Sequence, residues 1–205
     1  MSEIKYIIFA TSNKDKVREI TEMTTGRDVK VLTINDIGFN DDVEETGTTF
    51  EENAHIKAKA VYDYVRSSGK YEDYAVLADD SGLEIDYYDG APGVYSHRWL
   101  GERTYPEAMT DVMNDMKDVP DEKRTARFVC AMSAILSDGS EKASKGICAG
   151  RVAYKMAGEN GFGYDPFFYM EEYGCTTAQM TPEQKNSVSH RGQALRAILS
   201  QLEIL

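Results

Sequence analysis

Tyr74-Ala75-Val76-Leu77-Ala78 runs directly into Asp79-Asp80-Ser81-Gly82, and this junction restricts the fold more than any other stretch of the chain. A short apolar run closed by a glycine turn reads as a buried strand. Two adjacent carboxylates at its mouth repel each other unless a cation or a proton separates them. Hard oxygen ligands at a strand end suit Mg²⁺, which keeps part of its water shell and reaches a phosphate. An ordinary acidic turn would use the same residue types. The neighbouring segments decide between the two.

Those segments alternate between strand and helix signals. Tyr6 to Ala10 reads as a first buried strand, Lys14 to Met23 as a helix, and Val29 to Ile34 as a second strand. A long helix is expected over Thr49 to Val65, capped by Thr48 or Thr49, with Glu51 and Glu52 in its first turn. Leu83 to Tyr87 is expected as a separate strand after the acidic turn. Thr104 to Met116 is read as a helix with Thr104 as cap. Ala126 to Leu136 and Lys142 to Tyr154 form a hairpin through Asp138-Gly139. Tyr164 to Tyr169 is a further strand candidate. Thr181, Pro182 and Gln184 make a capping box, and Leu195, Ile198, Leu199 and Leu202 form the apolar face of a last helix. An α/β half followed by an antiparallel hairpin predicts a mixed sheet with helices packed against it. No linker divides the 205 residues into separate domains.

A hydrophobic content of 41% and an aromatic content of 10% are those of a folded globular chain. The net charge of −12 argues against a nucleic-acid polymer or an anionic membrane as partner. A small phosphate ester is compatible with it, because a divalent metal and a few placed cations offset the field locally. No apolar run approaches a membrane span. Cys130, Cys148 and Cys175 are widely spaced, and residues 1 to 10 carry no signal-peptide pattern. The expected location is the cytoplasm.

Thr11-Ser12-Asn13-Lys14-Asp15-Lys16 follows the first strand and opens the first helix, a natural phosphate position. It lacks the GxxxxGK[ST] pattern of a P-loop, and read alone it is an ordinary cap with solvated lysines. Glu44-Glu45 is a second carboxylate pair. One of its members with Asp80 could hold a single metal, and Lys57 could meet phosphate. Gly161-Phe162-Gly163-Tyr164-Asp165-Pro166 allows close backbone approach and offers a ring for stacking, while Asp165 could accept from ring N–H groups. Lys185, with Ser189-His190-Arg191-Gly192, puts donors near the start of the last helix, suited to a carbonyl or a phosphate. Nothing supports a zinc cluster or a Ser, Cys or His nucleophile.

Together these segments resemble the inosine triphosphate pyrophosphatase family, the noncanonical purine NTP (dITP/XTP) pyrophosphatases. The resemblance rests on Thr11-Ser12-Asn13 with Lys16, Glu44-Glu45-Thr46-Gly47 with Phe50, and Glu52-Asn53-Ala54 with Lys57. It continues in Asp79-Asp80-Ser81-Gly82-Leu83 and Gly90 to Ser96, then in Phe162 to Pro166 and Ser189 to Leu195. These occur in family order over nearly the whole chain. The resemblance implies an elongated α/β fold, residues 1–205 as one domain whose two lobes flank a deep cleft, and a homodimer. It also implies Mg²⁺-dependent hydrolysis of ITP, dITP and XTP to the monophosphate and pyrophosphate, which cleanses the nucleotide pool.

By motif match, Thr11, Ser12, Asn13, Lys14, Asp15, Lys16 and Lys57 would hold the triphosphate, and Glu44 with Asp80 the metal. Asp80 would also accept the proton, with Ser81 beside the substrate. Phe162, Gly163, Tyr164, Asp165, Lys185, His190 and Arg191 would form the base pocket. Glu44 and Glu45 both remain candidates as ligand. Ser12 departs from a frequent Gly, and His97 and Trp99 replace smaller or tyrosyl residues. A catalytically silent nucleotide sensor is the alternative of a different class. A pyrophosphatase for modified pyrimidines or methylated nucleotides is the alternative enzyme.

Overall fold

A computed structural model describes residues 3–205. In chain order the elements begin with β1 (Tyr6–Phe9), α1 (Lys14–Met23), β2 (Lys30–Thr33), the short α2 (Ile34–Ile37), α3 (Phe50–Ser68) and β3 (Tyr74–Ile85). They continue with α4 (Tyr105–Asp115), β4 (Thr125–Leu136), β5 (Glu141–Val152), β6 (Phe168–Met170), β7 (Cys175–Thr176), α5 (Pro182–Val188) and α6 (His190–Gln201). The seven strands form one mixed sheet in the order β2-β1-β3-β4-β5-β6-β7. β1 runs parallel to both β2 and β3, whereas β6 is antiparallel to β5 and β7.

The chain divides into two compact units. The first takes the chain up to Asp80 with Cys130–Gly146 and Arg191–Leu205; the second takes Ser81–Val129 and Ile147–His190. In the first unit the strand period of two sends alternate side chains to opposite faces of the sheet. Ile7, Phe9, Ala75 and Leu77 join a core with Ile20 of α1 and Leu195, Ile198 and Leu199 of α6. Ile8, Val76 and Ala78 join another with Ala58, Val61 and Val65 of α3. Both faces are buried, which is why β1 and the start of β3 read as unbroken apolar runs. The second unit has its own core, in which Leu83, Ile85, Met109, Val112, Phe128, Phe167 and Phe168 take part.

Local chemistry sets the helix starts. Thr49, Thr104 and Thr181 each close a capping box, with Glu52, Glu107 and Gln184 at the third helical position. Asn13 caps α1 by accepting from the Asp15 and Lys16 N–H groups.

Two expectations are corrected. Ser81-Gly82 is not a turn: β3 continues through Asp79-Asp80-Ser81-Gly82 to Ile85 as a single strand, and no separate strand begins at Leu83. The charges need not leave the sheet, because each carboxylate meets compensating groups on its own face. Tyr164 to Tyr169 is not one strand. Asp165–Phe167 form a 3₁₀ turn and β6 starts only at Phe168, consistent with Pro166 having no N–H for a ladder.

Candidate active site

The register β1 to β3 pairs Phe9 with Leu77, and the Ala10 N–H donates to the Leu77 carbonyl at 2.7 Å. The loop after β1 therefore leaves the sheet where Asp79 and Asp80 follow on the parallel neighbour. Ligands in open α/β sheets bind at the carboxyl end of a strand, here that of β1.

Successive residues of a strand point to opposite faces, so the pleat itself separates the Asp79 and Asp80 carboxylates and weakens their repulsion. Asp79 turns toward α1 and α6. Its carboxylate lies 2.9 Å from Lys16 Nζ and 3.6 Å from Arg191 Nε. Arg191 in turn lies 3.5 Å from Glu19 Oε2. Asp80 turns toward α3. Its Oδ2 accepts from Asn53 Nδ2 at 3.0 Å, and its Oδ1 lies 3.8 Å from Lys57 Nζ. Lys57 also donates to Glu45 Oε1 at 2.7 Å. Glu44 is exposed and Glu45 half-buried. All of these residues belong to the first unit.

The two aspartates differ electrostatically. Burial opposes ionisation of Asp79, but Lys16, Arg191 and Lys57 outweigh it and hold its carboxyl well below the usual carboxylate range. Burial raises the Asp80 carboxyl, Lys57 and Asn53 oppose that, and Glu45 and Asp79 reinforce it, so the group ends above its ordinary value. Burial lowers Lys57, but Asp79, Asp80 and Glu45 more than reverse the effect. Asp79 is thus a fixed counter-charge, and Asp80 is the more basic carboxylate.

Among the described residues no three His, Cys, Asp or Glu side chains gather into a ready-made ion cage. Mg²⁺ normally uses one or two carboxylates and completes its shell with waters and substrate phosphates. Four carboxylates here, Glu19, Glu45, Asp79 and Asp80, meet three cations, Lys16, Lys57 and Arg191. This donor chemistry fits a divalent cation bound together with its substrate.

Of the other candidates in the first unit, Ser12, Asn13 and Lys14 are exposed and Thr11 and Asp15 half-buried. The Asn13 side chain is already engaged as the α1 cap. Asp15 lies 3.1 Å from Arg18.

In the second unit Asp165 is buried and fully engaged. Its Oδ2 accepts from the Phe162 N–H at 2.8 Å and from Lys185 Nζ at 2.5 Å, and its Oδ1 accepts from Thr177 Oγ at 2.8 Å. Lys185 Nζ lies 5.0 Å from the centre of the Phe162 ring, which is 42% exposed. Gly161 has a φ of +78°, and a Cβ there would lie 2.2 Å from Asp165 Oδ2. Only glycine permits that approach. The Tyr164 hydroxyl is buried and donates to the Ser96 carbonyl at 2.8 Å. His190 stacks on Phe128 with ring centres 4.9 Å apart. Ser81 is half-buried.

The Arg191 guanidinium, which the resemblance puts in the base pocket with Lys185 and His190, is buried beside Asp79 and Glu19. The Asp165 carboxylate, which could accept from ring N–H groups, accepts from three protein donors. Tertiary contacts govern both. Glu19 and Asn53 were given no role from the sequence, although spacing offered a signal. Glu19 follows Lys16 by three residues and Asn53 precedes Lys57 by four, which places each pair on one helix face.

A family model described as Ham1 family matches residues 7–201. A dITP/XTP pyrophosphatase of Clostridium perfringens is 40% identical over 201 residues, 98% of this chain and 98% of that protein. One from Bacillus subtilis is 41% identical over 201 residues, again 98% of each. The solved structure of the Staphylococcus aureus Ham1 protein superposes with a TM-score of 0.85 at 37% identity, covering 97% of this chain and 98% of that one.

Proposed function

The chain belongs to the Ham1 family, and on that premise we propose that it is a nucleoside triphosphate pyrophosphatase acting on ITP, dITP and XTP with Mg²⁺. The observation that carries this reading is the divided Asp79-Asp80 pair, with Lys16 and Arg191 on one face and Lys57 on the other. Displacement at phosphorus needs charge neutralisation and alignment far more than covalent chemistry. Lys16 and Lys57 supply positive charge for a triphosphate, and Asp79, held ionised, keeps Lys16 and Arg191 in place.

Asp80 would hold the metal together with a carboxylate of the acidic loop. The family resemblance gives Glu44 as that second ligand, with Glu45, 2.7 Å from Lys57 Nζ, as the other candidate. When bound, Mg²⁺ neutralises phosphate charge and polarises water. Asp80 takes the proton from the attacking water, the role the family resemblance gives it. Attack at the α-phosphorus follows the family resemblance.

Base choice falls to the second unit. Phe162 offers an exposed ring for stacking, and Lys185, oriented by Asp165, offers a donor. Hypoxanthine and xanthine present a carbonyl at C6, which accepts that donor; adenine presents an amino group. A site built around such a bond rejects the mismatched base because its donor is left unpaired. The same reading makes the protein a cytoplasmic homodimer that clears the nucleotide pool, and its dimeric state can be checked by light scattering.

The test is product identity with ITP, dITP and XTP, with and without Mg²⁺. Pyrophosphate and the monophosphate are expected only with the metal. Orthophosphate and the diphosphate would refute α-phosphorus attack, and no turnover with any of the three would leave a binding protein.

A further inference from the structure

Asn53 is fully buried, and both ends of its amide are used. Its Oδ1 accepts from the Gly47 N–H at 2.8 Å, and its Nδ2 donates to Asp80 Oδ2 at 3.0 Å. The orientation is self-consistent. A backbone N–H can only donate, so the carbonyl end must face Gly47; the NH₂ end is then left for an acceptor-only carboxylate. The fit leaves no slack on the loop side, since a Cβ on Gly47 would stand 2.6 Å from Asn53 Oδ1 and 2.7 Å from Glu52 Cβ. Next to it, Glu52 Oε2 accepts from the Thr48 and Thr49 N–H groups at 2.6 and 3.2 Å. Two consecutive side chains in the first turn of α3 therefore grip three consecutive backbone N–H groups of the loop that carries Glu44 and Glu45.

We propose that Asn53 is a positioning residue for the reaction, tying the acidic loop to Asp80 and fixing the orientation of the Asp80 carboxylate. The inference rests on the proposed function. Oδ2 accepts from the Asn53 amide, and Oδ1 lies 3.8 Å from Lys57 Nζ. An amide suits this task better than a charged group. It holds the carboxylate ionised and oriented without adding charge, and it measures the loop from the same atom set. Without it Asp80 can rotate about its χ angles, and the distance between loop and strand is no longer set by a bond.

The test measures kcat and KM for Mg²⁺-dependent pyrophosphate release from ITP, beside melting temperature, in wild type, Asn53→Ala and Asn53→Asp. Asn53→Ala removes both arms. Asn53→Asp keeps the shape and the acceptor for Gly47 but removes the donor to Asp80. Both variants should lower kcat by about 10–100-fold, the usual effect of losing a partner that orients a reacting ligand, with KM within about threefold. A loss carried by KM alone overturns the proposal, as does kcat within about twofold of wild type in either folded variant. If neither variant folds, Asn53 is a residue of stability alone and the proposal is overturned. A wild type that releases no pyrophosphate refutes the proposed function itself, a result distinct from any of these.

Discussion

Asp79 and Asp165 are both buried carboxylates holding a lysine, but they are stabilised in different ways. Asp79 is flanked by Lys16 at 2.9 Å and Arg191 at 3.6 Å, and Arg191 is shared with Glu19. Asp165 has one cation, Lys185, and otherwise accepts from the neutral Phe162 N–H and Thr177 hydroxyl. The first is a network of full charges that can answer a polyanion. The second is a saturated hydrogen-bond hub that fixes one donor beside one exposed ring. A cluster of charges suits phosphate, and an oriented donor suits a base edge.

The largest expected effect comes from Asp80, the proposed proton acceptor on the opposite face of the same strand from Asp79. Asp80→Asn should lower kcat by roughly 10²–10⁴-fold, the range for a lost general base. The folded state raises the Asp80 proton affinity, so its charge opposes folding at neutral pH. The variant should therefore melt no lower than wild type in a thermal scan. Near wild-type turnover at saturating Mg²⁺ would remove Asp80 from the mechanism.

Arg191→Ala sharpens the contrast on stability. It leaves Asp79 and Glu19 buried with a partner missing, and breaking a buried pair costs about 3–5 kcal/mol. Urea unfolding should show that loss. If Arg191 acts by supporting Asp79, residual activity should fall in equal proportion on ITP and ATP. A selective rise of ATP over ITP would return Arg191 to base recognition.

In the hub, Lys185→Met should act on selectivity. Losing one charge-assisted hydrogen bond should erode the preference for ITP over ATP by about 10–100-fold, with much of the activity retained on whichever base still binds. Equal loss on both substrates would mean that Lys185 serves phosphate, and the division between the two regions would collapse.

The smallest effects are in pH. Asp79 has a lowered carboxyl in the folded state, so its contribution is present above the ordinary value of 3.8 and is lost as pH falls through and below it. Tyr164 is the reverse case. Burial and Tyr105 push its hydroxyl from 10.0 up to about 12. The folded state keeps that proton while the unfolded chain gives it up, so stability declines between these values as pH rises. Tyr164→Phe should flatten the alkaline limb of stability, and Asp79→Asn the acid limb. An alkaline limb unchanged in Tyr164→Phe would remove that tyrosine as its source.

The helix starts were legible because each is a local event: Thr49, Thr104 and Thr181 cap with a side chain three residues away, inside one turn of chain. The buried strands were legible because Ile7-Ile8-Phe9 and Tyr74 to Ala78 have no polar face to present. The reach of β3 through Ser81-Gly82 was not. A glycine after two acids signals a turn in isolation, and only the groups waiting on each face make the extended course favourable. The same holds for Arg191. Its place at the start of α6 marks it as a donor, but Glu19 lies 172 positions away in the chain.

The sequence by itself determined the residue types of the site, their order, and the alternation that must send Asp79 and Asp80 to opposite faces of any strand containing them. These depend on covalent geometry and on neighbours within a few residues. Which donor meets which carboxylate was decided only by the tertiary structure. Lys16 with Asp79, Asn53 with Asp80 and Lys185 with Asp165 are separated by 63, 27 and 20 positions. Their energies arise only once packing removes water and brings the partners within a few ångströms, where the electrostatic interaction becomes strong.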